Sequence, residues 1–174
     1  MATLSASTGA EATSEFEGVK SDKLLEMAET ETRHKRCPRA IAMCDELIRR
    51  NPRLSQPYIF KAQCIDYQQS PEAAAAILEA FVKKYPPDAG LLMELGGLYN
   101  DSQQFDKAIA TLTRAAALQP TEAEIYHRRS MAYGSLKKHD LAVADLTTYI
   151  KLTPLHCRGY QWRADEYKLS LIHI

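Results

Sequence analysis

The sequence carries no net charge, no long apolar run, and no cysteine or histidine grouping at a metal-binding spacing, and each absence excludes a class of function. Lysine plus arginine equals aspartate plus glutamate, 22 against 22, so no global field draws the chain to nucleic acid or acidic lipid. The longest apolar run falls far short of the ~20 residues that a membrane-spanning helix needs, so no membrane partner is expected. Cys37, Cys44, Cys64 and Cys157 form no CxxC pair and no disulfide-like framework. His34, His127, His139 and His156 are scattered, without the HxxxH or HExxH spacing that would bring two imidazoles to one metal. Phosphate loop, dinucleotide fingerprint and nucleophile elbow are all missing. The chain therefore reads as a non-enzyme, with no catalytic residue, no cofactor and no metal.

Residues 1–18 are rich in Ala, Ser, Thr, Gly and Glu. They lack the basic start and apolar stretch of a secretory signal. Glu11, Glu15 and Glu17, with no basic residue before Lys20, also argue against a mitochondrial presequence. Their composition reads as a disordered acidic lead-in. The expected location is the cytoplasm, with the nucleus as the alternative.

What the sequence does have is a period. Pro52, Pro86, Pro120 and Pro154 recur every 34 residues, and other columns recur in step. Small residues return at Ala28, Ala62, Gly96, Ser130 and Ala164, and again at Ala40, Ala74, Ala108 and Ala142. Large residues return at Leu24, Tyr58, Leu92, Tyr126 and Tyr160, then at Cys44, Leu78, Leu112 and Leu146. Within a unit these positions fall three or four apart, on one face of a helix. A small residue held at one column lets a neighbouring helix approach; a bulky one would overpack the contact by about 1–3 kcal/mol. The period thus predicts two helices per unit, stacked unit on unit, because one unit cannot bury its apolar face alone. Each proline of the column stops a second helix, and Pro38 and Pro71 sit where an early proline costs little. Paired helices are expected at 21–34 with 38–50, 55–68 with 71–84, 89–102 with 105–118, and 123–136 with 139–152, with a lone first helix from about residue 157.

These columns resemble the tetratricopeptide repeat: a large residue, Leu-Gly, then Tyr on the first helix, an Ala column and a closing Pro. The third unit matches best, through Leu92, Leu95-Gly96, Tyr99, Ala108, Leu112, Ala115 and Pro120. The first departs most, since Glu31 stands where the others carry Ile65, Tyr99, Tyr133 and Tyr167. The family's favoured Trp is absent from the first large column, and Trp162 lies off it. The resemblance implies an all-α fold: a right-handed superhelical solenoid of antiparallel helix pairs. It covers four full repeats, 21–54, 55–88, 89–122 and 123–156, and a partial fifth, 157–168, within a repeat domain of residues 19–168.

Residues 169–174 break the register in the middle of a helix. One codon choice for these six, CTG-TCT-CTT-ATA-CAC-ATC, spells the transposon-end adapter used in preparing sequencing libraries. They are read as a non-native tail, which leaves the fifth first helix without a partner helix and Tyr160 and Tyr167 without cover.

The resemblance also implies a protein partner, held as an extended peptide or helix in a concave groove lined by the first helices. By register the groove residues are Leu25 and Glu29; Ile59 and Gln63; Met93, Gly97 and Asp101; Glu124, His127 and Met131; and Arg158. Its middle is expected to be wide and soft, with Gly90, Gly97 and Gly134 beside Ile59, Met93 and Met131, and its flanks acidic. Such a groove suits a partly apolar, weakly basic segment, with the methionines adapting to it. The alternative is that this face is merely solvated and a partner uses the convex side.

Family members that hold the acidic C-terminus of chaperones place Lys and Asn on these helices. The equivalent pairs here are Leu25/Glu29, Ile59/Gln63 and Met93/Gly97, which offer no cation, so a chaperone carboxylate is not the expected ligand. Arg33-His34-Lys35-Arg36 reads as cations complementing the end of a helix rather than as a nucleic-acid patch. Two function classes follow: an interaction scaffold within a larger complex, or the substrate-recruiting module of a longer enzyme.

Overall fold

The computed structural model of the chain describes residues 15–172. Among these residues the architecture is all-α, with nine helices and no strand: α1 Ser21–Arg33, α2 Cys37–Arg50, α3 Ser55–Gln68, α4 Pro71–Lys84, α5 Ala89–Asp101, α6 Phe105–Leu118, α7 Ala123–Ser135, α8 His139–Leu152 and α9 Cys157–Ile172. The helices expected from the period begin and end within one residue of these bounds. Within each unit short turns make successive helices antiparallel neighbours, and α1 and α2, α3 and α4, α5 and α6, and α7 and α8 pack as pairs. The chain divides into two compact units, residues 1–85 and 86–174.

In the first unit the core gathers Leu24, Ala28, Met43, Cys44 and Leu47, with Cys37, Ala40 and Cys64 beside them. Phe16, only 2% exposed, joins this core. Residues 1–14 of the expected lead-in lie outside the described residues, but Glu15–Gly18 form a turn. Arg50 fastens that turn by donating to the Phe16 carbonyl at 2.8 Å and the Val19 carbonyl at 2.6 Å. Among the described residues the packing therefore includes Phe16, ahead of residue 19. An aromatic side chain at the end of a polar stretch is the reason: burying it stabilises the fold by about 1.5–3 kcal/mol.

In the second unit the core runs through Leu91, Leu92, Leu95, Leu98, Leu112, Ile125 and Leu146, all at most 4% exposed. The column Ala40, Ala74, Ala108, Ala142 is fully buried throughout, as its smallness required. At Gly96 an added Cβ would lie 2.5 Å from the Leu112 side chain, so the small column and the leucine column are two sides of one contact. The last small residue, Ala164, is exposed, as are Tyr160 and Tyr167, which continue the apolar columns on α9. Leu169, Ser170 and Leu171 extend α9, with the Ser170 hydroxyl donating to Asp140 at 2.8 Å.

Two further regularities link the columns. Each tyrosine of the first large column donates its hydroxyl to the proline carbonyl six residues before it: Tyr58 to Pro52 at 3.2 Å, Tyr126 to Pro120 at 2.9 Å, Tyr160 to Pro154 at 3.2 Å. The tyrosine hydroxyl thereby satisfies a carbonyl in the turn that the proline created. The first turn of three repeats closes through a left-handed residue, Lys35, Gln103 or Lys137. There the next N–H reaches back to the helix, as Arg36 to Glu31, Gln104 to Tyr99 and Lys138 to Tyr133. The second repeat closes differently, because Ser70 caps α4 by accepting from the Ala73 N–H at 3.2 Å, ahead of Pro71 at the first helical position.

Candidate binding faces of the first helices

Within the first unit, α1 and α3 flank a cleft of about 370 Å³, walled by Glu29, Arg33 and Lys35 on one side and Phe60, Gln63 and Tyr67 on the other. Arg33 pairs with Glu29 at 2.6 Å, and the Lys35 ammonium lies 4.4 Å over the Tyr67 ring. The basic turn is thus engaged locally: the His34 ring meets the Thr30 carbonyl at 2.8 Å, and Arg36 pairs with Glu31 at 3.2 Å. Glu29 and Gln63, two of the residues expected on the groove face, line the cleft. Leu25 is half-buried against the core, and Ile59 is 8% exposed, so its side chain belongs to the packing of α3.

Within the second unit, Met93 is half-buried on α5, while Asp101 and Arg158 are exposed. Two of the glycines expected to open the middle, Gly97 and Gly134, are closely approached by neighbouring side chains. The Arg128 guanidinium occupies the space a side chain at Gly97 would take, and a Cβ at Gly134 would stand 2.7 Å from a Glu166 oxygen. Arg128 links two helices, pairing with Glu94 of α5 at 3.4 Å and Glu124 of its own helix at 3.1 Å. The Asn100 amide donates to the Arg128 carbonyl at 2.8 Å. The His127 ring, hydrogen-bonding the Glu124 carboxylate, and Arg128 beside it hold Glu124 below the usual carboxylate range.

A second cleft lies between α7 and α9, again about 370 Å³. Its floor is Leu146 of α8, and Met131, 51% exposed, forms one wall. The other wall is aromatic: Trp162 stacks on His127 with ring centroids 4.0 Å apart and planes within 12°. Asp165 and Glu166 complete the lining. Glu166 is braced from below by His139, whose Nδ1 lies 2.7 Å away. Of the groove residues inferred from the sequence, the structure brings His127 and Met131 together here, and Glu29 and Gln63 together in the first unit.

The register missed Trp162, Phe60 and Arg128. These three and Glu94 form one column at 34-residue spacing, a single position beyond Ile59, Met93, His127 and Gln161. Helical side chains lean towards the N-terminus, so a spot on the surface is covered from about one residue further on. A signal for it exists in the sequence: that column changes chemistry from unit to unit, Phe, Glu, Arg, Trp, as a packing column does not.

A repeated antiparallel helix pair with its first helices carrying open clefts defines a class, the helical repeat proteins. Tetratricopeptide repeat family models match residues 67–129 and 123–154, and the chain belongs to that family. Solved structures share the fold. MamA aligns with a TM-score of 0.73 at 20% identity, over 92% of this chain and 84% of that one. TTC0263, a thermophilic tetratricopeptide repeat protein of Thermus thermophilus, aligns at 0.72 with 23% identity, over 90% and 84%. YrrB, described as a tetratricopeptide repeat protein with an unusual peptide-binding site, aligns at 0.70 with 16% identity, over 95% and 85%. No curated protein matches the sequence. Among the described residues, no helix is long and apolar enough to cross a membrane.

Proposed function

We propose that the chain is a protein-interaction scaffold that receives a partner's peptide or helix on its first-helix faces. The observation that carries this reading is the cleft between α7 and α9, where Met131 and the stacked pair His127–Trp162 stand open over Leu146. A flexible thioether beside a flat aromatic wall adapts to a side chain inserted from outside. The description of YrrB as peptide-binding adds support from a protein of the same fold. Leu25, Glu29 and Gln63 in the first unit, and Met93, Asp101, Glu124, His127, Met131 and Arg158 in the second, are the proposed contacts. Ile59 and Gly97 act as packing beneath them. The partner segment is partly apolar and weakly basic, and the assembly works in a reducing compartment, the cytoplasm. Burial pushes the Cys44 and Cys64 thiols up to about 12, which keeps them protonated and inert.

The test begins with affinity purification of a partner on the intact chain, followed by titration of its binding segment. Asp101→Lys and Met131→Lys each lie on exposed positions and are expected to leave the fold unchanged. Each is expected to weaken binding by about tenfold or more, the charge reversal with an altered salt dependence. Unchanged affinity in both variants, with binding lost instead on substituting exposed residues of the second helices, overturns the reading.

A further inference from the structure

The two clefts differ in charge, and the difference specifies a ligand. The first unit's cleft carries its own cations, Arg33 and Lys35, against Glu29. The cleft between α7 and α9 has two carboxylates, Asp165 and Glu166, and no lysine or arginine in its lining. Its basic neighbours are already committed. Arg128 serves Glu94 and Glu124. Lys168 reaches Asp165 at 3.6 Å from the rim, where both side chains are more than half exposed and the pair is weak. His139 lies beneath Glu166 rather than in the opening.

We infer that this cleft is a subsite for one arginine side chain of the partner segment, an inference that rests on the first-helix reading above. The chemistry is that of a guanidinium. Its methylene stem packs along Met131 and Leu146, its planar head stacks on the Trp162 indole, and its forked N–H groups meet the carboxylates of Asp165 and Glu166. The indole is held in place: stacking on His127 fixes one face, and the tilted rings of Tyr149 and His156 lie 5.8 and 5.9 Å away. The Glu166 carboxylate is likewise fixed, by His139 below and by the small Gly134, which lets it lie across α7. A lysine would satisfy one carboxylate as a point charge but would neither stack nor fork, so arginine is preferred.

Trp162 is the single tryptophan of the chain, so its fluorescence reports this cleft and no other. The probes are three synthetic peptides, acetyl-Ala-Leu-Xaa-Leu-Ala-amide, with arginine, lysine or citrulline at Xaa; citrulline keeps the shape of arginine and removes its charge. The arginine peptide is expected to change Trp162 emission saturably. The lysine peptide should bind several-fold more weakly and the citrulline peptide at least about tenfold more weakly. Asp165→Asn, at an exposed position, should reduce the arginine affinity by about tenfold while far-ultraviolet circular dichroism stays unchanged. Equal binding of the citrulline and arginine peptides, or full affinity in Asp165→Asn, overturns the inference. So does a silent Trp162 when a purified partner segment still binds and is weakened by Asp101→Lys, an outcome that leaves the first-helix reading standing. A partner unaffected by Asp101→Lys, Met131→Lys and Asp165→Asn alike removes both.

Discussion

Glu46 holds two arginines on one carboxylate. Its side chain is 2% exposed and accepts from Arg49 at 2.7 and 2.8 Å and from Arg50 at 2.7 Å, while Arg50 also fastens the Phe16 turn. The Arg49 hydrogen bonds, reinforced by Arg50, hold the carboxyl down from its ordinary 4.5 to about 2. A depressed acid contributes stability that is fully present above its unfolded value and is lost as pH falls through the folded one. The first unit should therefore lose stability between about pH 4.5 and 2, and the turn at Phe16 should loosen with it. Glu46→Gln removes the titrating group. Thermal melts of the two proteins from pH 7 to 2 should show a lower melting temperature for the variant at neutral pH and a shallower decline in acid. Parallel declines would mean that other carboxylates govern the acid limb. None of this is legible in the sequence, where Glu46 and its arginines look like an ordinary solvated helix face, because Phe16 falls in the stretch that composition gives to the lead-in.

At the scale of helices, what the sequence announced was whatever repeats. The alanine columns, the leucine column and the prolines set every helix bound to within a residue, since each is imposed four times by the same contact. What it withheld was each contact made once. Arg129 and Asp145 are the clearest case: 16 residues apart, they meet as a two-pronged pair at 2.7 Å on both arms, with side chains only 15% and 8% exposed. Arg129 also donates to Thr113 of α6 at 3.0 Å and lies near the faces of Tyr126 and Tyr133, so α7 is tied to the helices before and after it. Removing one partner strands a buried charge, which costs about 3–5 kcal/mol, whereas replacing both with apolar residues of similar size is close to neutral. Asp145→Ala should lower the urea midpoint sharply, and Arg129→Met with Asp145→Leu should restore most of it. Similar midpoints for the single and double variants would show that the pair acts by packing rather than by charge. The same division explains the candidate site: Met131, His127 and Gln63 were legible from register, while Trp162 and Arg128 were not, because helical lean shifts the lining by one position.

Across the molecule, a repeat array distributes stability unevenly, because each helix leans only on its neighbours. Within the second unit the contrast is sharp. α5 and α6 bury Leu91, Leu92, Leu95, Leu98, Ala108 and Leu112, whereas α9 presents Tyr160, Tyr167 and Leu171 at 45%, 52% and 70% exposure. Among the described residues α9 is secured by Trp162 against His127, by Glu166 on His139, and by Gly159, where a Cβ would lie 2.9 Å from the Tyr149 ring. These contacts hold the α7–α9 cleft open and are also the weakest part of its support. Amide hydrogen exchange should therefore run fastest in α9 and slowest in α5 and α6. An arginine peptide seated between Met131 and Trp162 binds the folded cleft alone, so it should slow exchange in α9 in proportion to its occupancy and leave α5 and α6 unchanged. Equal protection of α9 and α5 in the free protein would show that the exposed tyrosine face costs nothing. A peptide that binds yet protects none of α9 would place its site elsewhere on the chain.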